Sequence, residues 1–297
     1  MFERQWMFGA VTAVLVVAAH GADARAEGDP GAVASAMRAV AAASPAVVDE
    51  MDAEVPAGVA PALQRLRDAL RALVEADAAE LDATAVPAAL AKRVAKELAG
   101  VGVAVGRAND KTPPAGLAPI WGHIEEIRAW APPKSGGRMV VDVTWDIPCG
   151  ADTTSWVFER REGRWALALA DESPKFDADN HAFEIVGSAK PGDFYVFTAH
   201  TPVWCTSVWS ALRFAVLAPG PRPLEPVRRF AEEASANRMC GSVQQLDARG
   251  GQLTFRYVSA KPDDPAELAL FEVKLRIDKQ GVTRVGVDRL VPGVPCP

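Results

Sequence analysis

Signatures of the common catalytic mechanisms are missing from this sequence. It contains no G-x-S-x-G and no S-x-x-K segment, so it offers no recognisable serine nucleophile. The glycine-rich stretch 100–106 follows a predicted helix, whereas a phosphate-binding loop follows a strand. The segment "WGHIEEIRAW" has His123 but lacks the second histidine of a zinc-protease helix. The sequence therefore names no catalytic residue.

Positive charge is also scarce. The chain has 32 lysines and arginines against 38 aspartates and glutamates, which gives a net charge of −6. Nucleic acids and anionic membranes are bound by basic faces. No basic cluster is denser than Lys92, Arg93 and Lys96, and a predicted helix would present these three to solvent. We therefore expect no nucleic acid partner, and we expect no cofactor.

Long apolar runs are limited to the N-terminus. Residues 6–19 form an apolar run of 14 residues, whereas a membrane-spanning helix needs about 20. Arg4 precedes the run, and the small residues Ala24 and Ala26 follow it at the positions that a signal peptidase reads. We expect residues 1–26 to be a signal peptide. The mature bacterial protein would then be secreted or periplasmic, with no membrane insertion after cleavage.

The mature chain changes character near residue 115. Helical periodicity dominates residues 27–105, with helices predicted at 31–43, 59–81 and 83–100. In the third of these, Thr84 is a plausible N-cap and Pro87 lies in the first turn. Residues 106–117 are polar and turn-rich, which is typical of a linker.

Residues 118–297 follow a period of two and predict a β domain. Alternating strands are predicted at 138–147, 192–200 and 210–220, and hairpins turn at 161–163, 250–251 and 278–281. The segment 224–238 could be a helix or a meandering loop. Because no long helix separates the strands, the sheet should be antiparallel. The fold class is therefore α+β: a helical region followed by a mainly β domain, arranged as a sandwich, a barrel or a small propeller.

Four cysteines lie in the predicted β domain: Cys149, Cys205, Cys240 and Cys296. The nearest two are 35 residues apart, which does not suit a zinc site built from closely spaced pairs. His200 lies five residues before Cys205, an odd offset that would point the two side chains to opposite faces of a strand. An even number of cysteines in an exported chain favours two disulfides. Three connectivities are open, and we prefer Cys149–Cys205 with Cys240–Cys296, each spanning 56 residues.

Two segments resemble parts of uncharacterised secreted bacterial β-rich proteins. These are "DIPCGADTTSWVFERREGRWALAL" and "TPVWCTSVWSALRFAVL", which carry a Cys-Gly-x-Asp and a Cys-x-Ser-x-Trp motif within residues 140–217. The matching residues are Cys149, Gly150, Asp152, Cys205, Ser207 and Trp209. The resemblance supports a bridge between Cys149 and Cys205, and it implies no activity.

Tryptophans are concentrated in one part of the mature chain. All seven lie between residues 121 and 209. Tryptophan faces in secreted β domains can stack on sugar rings, but large aromatic side chains more often build a core. We favour the core interpretation, and we keep Trp156, Trp204 and Trp209 as candidate binding residues.

Acidic residues cluster in "DESPKFDADNHAFE". An EF-hand loop would need glycine and glutamate where Ala182 and Ser188 stand, so we predict a solvated loop and no metal site. Carboxylates from this stretch could supply the acid–base pair of a glycosidase. The candidates are Asp171, Asp177, Asp179 and Glu184.

These observations favour a non-catalytic role. We expect an exported envelope protein that binds a protein or a glycan, or that has a structural role. The alternative is a secreted hydrolase of an extracellular polymer that uses the acidic cluster. Perturbed carboxyl pKa values in a cleft would favour the enzyme, and an exposed aromatic face without such a cleft would favour binding.

Overall fold

The structure is a computed structural model with three helices followed by three antiparallel sheets. It describes residues 28–45, 55–82, 85–106, 121–133, 135–148, 150–187, 193–203, 207–278 and 281–293. The predicted signal peptide and most of the predicted linker lie outside these ranges.

The helices are α1 (Pro30–Ala43), α2 (Ala60–Ala79) and α3 (Pro87–Gly100). Asp29 caps α1 by accepting a hydrogen bond from the Gly31 amide at 2.8 Å. The predicted cap Thr84 lies outside the described residues. Val86 precedes α3 and is exposed. No helix in the described ranges is long and apolar enough to cross a membrane.

Thirteen strands follow in the described part of the chain. They are β1 (His123–Trp130), β2 (Met139–Ile147), β3 (Gly150–Arg161), β4 (Arg164–Asp171), β5 (Asp179–Gly187), β6 (Phe194–Thr201), β7 (Trp209–Ala218), β8 (Val227–Asn237), β9 (Gln245–Arg249), β10 (Gln252–Ala260), β11 (Leu268–Asp278), β12 (Gly281–Arg284) and β13 (Arg289–Val291). A short 3-10 helix, Arg238–Cys240, joins β8 to the segment that enters β9.

Each sheet is built from strands that are consecutive in the sequence. Sheet A has the order β1-β2-β3-β4, and sheet B has the order β5-β6-β7-β8. Sheet C has the order β12-β11-β10-β9, and β13 also pairs with β11. All strand pairs are antiparallel, as the short predicted connections require, and the described strands form no closed barrel.

The helices and sheets stack as four layers in the order helices, sheet A, sheet B, sheet C. One apolar cluster joins the helices to one face of sheet A, where Leu66 and Leu70 of α2 share a core with Trp145 and Trp156. Separate apolar clusters fill the space between sheets A and B and between sheets B and C. The architecture is α+β and sandwich-like.

Two elements differ from the sequence expectation. The segment 224–238, expected as a helix or loop, forms the edge strand β8, in which Phe230, Ala234 and Ala236 turn inward. Alanine, arginine and glutamate favour helices, so pairing with β7 overrides local propensity here. The acidic stretch, expected as a loop, enters β5 at Asp179. A bulge between Asp179 and Ala182 and a positive φ at Asn180 interrupt the alternation of inward and outward side chains, so the sequence shows no strand pattern here.

A buried ion pair fixes α2 to sheet A. The Arg67 guanidinium donates to Asp152 Oδ2 and to the Ser173 carbonyl, both at 2.9 Å, and the two charged side chains are 1% and 0% exposed. The Ala178 amide donates to the other oxygen of Asp152 at 3.0 Å. The Arg67 guanidinium also lies 3.8 Å from the centroid of the Phe176 ring. These contacts connect the helices to β3 and to the β4–β5 loop.

Candidate functional site

A groove of about 380 Å³ lies where the first strands of the three sheets meet. We call it the junction groove and define it by β1 of sheet A, β5 of sheet B and residues 243–246, which enter β9 of sheet C. Neighbouring strands β2 and β3 complete the wall. Each of the three first strands stands at an edge of its own sheet. The wall from sheet A is part of a sheet face, because Glu126, Thr144 and Thr153 are cross-strand neighbours on β1, β2 and β3.

The wall from sheet A carries an oriented tryptophan. Trp130 Nε1 donates to Asp142 Oδ2 at 2.7 Å, and Ser155 Oγ donates to Asp142 Oδ1 at 2.7 Å. The Arg128 guanidinium lies 4.9 Å from the centroid of the Trp130 ring and covers part of it. Both oxygens of Asp142 already accept a hydrogen bond. We therefore interpret this carboxylate as a group that positions the Trp130 ring. Glu126 lies two residues before Arg128 and is exposed.

His181 of β5 lies between sheets A and B and lines the groove. Its Nε2 is 3.2 Å from Asp171 Oδ2 on β4 and 3.0 Å from Thr198 Oγ1 on β6. Its side chain is 4% exposed. The three groups therefore link β4, β5 and β6 through one ring nitrogen.

This contact shifts both pKa values of the pair. Burial disfavours a charged imidazole, but the hydrogen bond and charge of Asp171, with the charges of Asp142 and Asp152, outweigh burial and raise the pKa of His181. Burial also acts to raise the pKa of Asp171, but the hydrogen bond and charge of His181 outweigh it, so the pKa of Asp171 is lowered. Both shifts favour an imidazolium–carboxylate ion pair.

A second histidine, His200, lies near His181. Burial, followed by the positive charge of His181, lowers the pKa of His200. The two histidines therefore shift in opposite directions, because only His181 has Asp171 within hydrogen-bonding distance.

Three of the four candidate acids are bound by different basic side chains. Asp171 is bound to His181 at 3.2 Å. Asp177 accepts from Arg213 at 3.0 Å, and Asp179 accepts from Arg238 at 2.8 Å. Glu184 lines a different and larger cavity, at the far end of β5. The structure thus distributes these acids among separate partners.

The candidate tryptophans occupy different environments. Trp156 is 0% exposed and packs in the core between the helices and sheet A, where its Nε1 donates to Glu172 at 2.9 Å. It has no ring face free for a ligand. Trp209 is half-buried at the start of β7, outside the junction groove. Trp204 lies outside the described residues.

The described part of the chain includes one cysteine of the four. Cys240 is 6% exposed, carries no free thiol and is disulfide-bonded. Cys149, Cys205 and Cys296 lie outside the described residues, so the connectivity stays a prediction. Within the described ranges, no group of three or more histidine, cysteine, aspartate or glutamate side chains is placed to hold a metal ion.

Sequence reasoning missed Trp130, Asp142 and His181 as members of one site. Alternation places Asp142 on the face of β2 opposite Val141 and Val143, and this polar interruption in an apolar strand was the available signal. Its partners could not be read from the sequence, because they come from another strand pairing and another sheet.

Comparisons with known proteins found no relative from which a role for this site could be inferred. No family model matches the chain, and neither the curated proteins nor the solved structures contain a significant match.

Proposed function

We propose that this chain is an exported envelope protein with a non-catalytic binding role, and that its ligand binds in the junction groove. The observation that carries this proposal is the contrast between the groove and the acidic cluster. Glu126 and Arg128 have no ion-pair partner among the described residues and face the groove, whereas Asp171, Asp177 and Asp179 are each held by a cationic side chain. Polar groups left free at a concave surface are available to a ligand.

The histidine geometry also argues against a nucleophilic relay. In such a relay the imidazole contacts the nucleophile with one ring nitrogen and the orienting carboxylate with the other. Here Thr198 and Asp171 both approach Nε2 of His181. Thr198 is also buried, so its hydroxyl is not presented to a polymeric substrate. The contacts suit a structural tie between strands.

Export agrees with a disulfide at Cys240, since disulfides persist in oxidising compartments. We propose the pairs Cys149–Cys205 and Cys240–Cys296. A Cβ placed on Gly150 would lie 3.2 Å from Val203 Cγ2, so the backbone of Gly150 lies close to the Val203 side chain. Gly150 follows Cys149, and Val203 lies two residues before Cys205. Cys240 packs in a small apolar cluster with Val291, five residues before Cys296.

Peptide mapping without reduction tests this connectivity in natively exported material. We expect one linked peptide pair for each bridge, and an N-terminus at Glu27 in the same material. A bridge between Cys149 and Cys240 or Cys296 contradicts the pairing, and retention of Met1 contradicts cleavage of the signal peptide.

A direct comparison of binding with hydrolysis tests the proposed role. Purified protein is mixed with insoluble bacterial cell-wall material and with a panel of polysaccharides, and both retention and release of reducing ends are measured. We expect retention without release, and loss of retention in the folded double variant Glu126→Ala/Arg128→Ala. Release by the wild type that is abolished in Asp171→Asn would instead support the hydrolase.

A further inference from the structure

We infer that the junction groove binds a neutral oligosaccharide, with the Trp130 ring as the flat apolar wall and the side chains around it as hydrogen-bonding partners of the sugar hydroxyls. This inference rests on the proposed binding role and names the ligand class of the same groove.

The charges around the groove disfavour a strongly charged ligand. Glu126 and Asp142 are acidic, while Arg128 and His181 are basic, so the lining presents no field of a single sign. Two of these four charges are already engaged. Asp142 accepts from Trp130 and Ser155, and His181 is paired with Asp171. A ligand of high charge would find no matching cluster of opposite charge here.

The groove has free hydrogen-bond donors and free hydrogen-bond acceptors, and they lie on different walls. Glu126 forms no hydrogen bond with the described residues and is an acceptor, and Arg128 forms no ion pair there and is a donor. On the opposite wall, Gln245 accepts from Arg256 at 2.8 Å, which leaves its amide NH₂ group as a donor. A sugar hydroxyl donates and accepts at once, so alternating donors and acceptors suit a polyhydroxylated ligand.

Trp130 supplies the apolar contact in a fixed orientation. Its Nε1 is held by Asp142 at 2.7 Å, and Arg128 stacks on part of the ring at 4.9 Å. A ring held in place before binding loses little conformational freedom when a ligand packs against it. Trp130 is half-buried and also packs against the apolar cluster between sheets A and B. The part of the indole that lines the groove suits the C–H face of a pyranose.

The strand edges around the groove are poorly suited to an added peptide strand. The β1 edge has a bulge between Ile124 and Glu126, and Val105 forms a bridge with Ile124 there. The β5 edge has a bulge between Asp179 and Ala182, and β9 has only five residues. Strand addition needs a regular, extended edge, and bulges and short edges block it. The lining therefore favours a glycan over a peptide.

Isothermal titration of the full mature protein tests this inference. The titrated probes are maltohexaose, cellohexaose and N-acetylchitohexaose, with a heparin hexasaccharide as the anionic probe. Peptide binding is tested separately, by selection of a phage-displayed random peptide library on the immobilised protein. We expect at least one neutral hexasaccharide to bind and the heparin fragment not to bind. Trp130→Ala and Arg128→Gln should each weaken that binding about tenfold or more.

A matched control separates a groove contact from a general effect. Arg160 stacks on Trp165 at 4.7 Å, much as Arg128 stacks on Trp130, but it lies in the β3–β4 hairpin away from the groove. Arg160→Gln should leave affinity unchanged. Circular dichroism and thermal unfolding verify that each variant is folded.

The outcomes distinguish the ligand class from the binding role. Neutral sugar binding that survives Trp130→Ala and Arg128→Gln overturns the assignment to this groove but leaves the binding role intact. Binding of peptides or of heparin in place of neutral sugars overturns the ligand class alone. Absence of binding to every probe together with release of reducing ends from polysaccharides overturns both.

Discussion

At the scale of single residues, buried charges are placed where layers meet. Arg67 and Asp152 connect the helices to sheet A, and His181 and Asp171 connect sheet A to sheet B. Burying an ion pair costs desolvation energy, so such a pair adds little net stability over an apolar contact, but removal of one partner leaves an uncompensated charge. These pairs therefore fix how the layers align.

Replacing Arg67 should expose this dependence. Asp152 would remain fully buried without its counter-charge in Arg67→Ala, and we expect the free energy of unfolding to fall by about 3–5 kcal/mol. Urea unfolding followed by tryptophan fluorescence measures the loss. The double variant Arg67→Met/Asp152→Ala leaves no unpaired charge and should be less destabilised than Arg67→Ala alone. An equal or larger loss in the double variant would contradict this account.

His181 should make stability depend on pH in a defined direction. Its pKa in the folded chain is raised above the ordinary 6.5, so its contribution is fully present below pH 6.5 and is lost as the pH rises through the folded value. The lowered pKa of Asp171 keeps the carboxylate charged well into the acidic range. We expect His181→Gln to be more destabilising at about pH 5.5 than at about pH 8.5. An equal loss at both pH values would show that the ion pair does not form.

At the scale of elements, the contact between α2 and α3 includes a buried carboxylate that is only partly hydrogen-bonded. Asp77 is bound by Arg93 Nε at 2.9 Å, but its other oxygen has no hydrogen-bond partner among the described residues. Burial, opposed by the charge of Arg93, raises the pKa of Asp77 from 3.8 to about 6. The folded chain therefore binds a proton more tightly than the unfolded chain does.

The variant Asp77→Asn should isolate the contribution of Asp77 to the pH dependence of stability. Because the folded pKa is the higher one, wild-type stability gains from Asp77 as the pH falls from about 6 towards 3.8, and the charged form weakens the fold above pH 6. The free energy of unfolding of Asp77→Asn, relative to that of the wild type, should therefore be higher at about pH 7.5 than at about pH 4. Denaturant titrations of both proteins at the two pH values give the comparison. A difference that does not change with pH contradicts the raised pKa.

The sequence was most informative where one face of an element is apolar. The stripe of α2 and the alternation of β2 are local properties, and both elements form within two residues of the predicted bounds. It was least informative for β8, where helix-forming residues make an edge strand, and for β5, which begins with a bulge. The groove could not be predicted from the sequence, because β1, β5 and β9 come together only when the three sheets stack.

At the scale of the whole molecule, the helices cover a face of sheet A that is otherwise apolar. Met139, Val141, Val143, Trp145 and Ile147 of β2 all point towards the helices and are buried. Three further aromatic side chains on β3 and β4 share this core, namely Trp156, Phe158 and Trp165. The predicted boundary between residues 105 and 118 therefore falls between two halves of one hydrophobic core.

Residues 118–297 expressed alone should accordingly fail to fold as a stable unit. Removing the helices exposes this aromatic face and leaves Asp152 buried at its edge without Arg67. We expect the fragment to aggregate or to bind a hydrophobic dye strongly, and to unfold without a cooperative transition. Adding residues 27–105 in trans should restore a cooperative transition if the two parts share one core. A fragment that is monomeric, binds no dye and unfolds cooperatively would instead show that the β region is an independent domain and that the helices are an accessory layer.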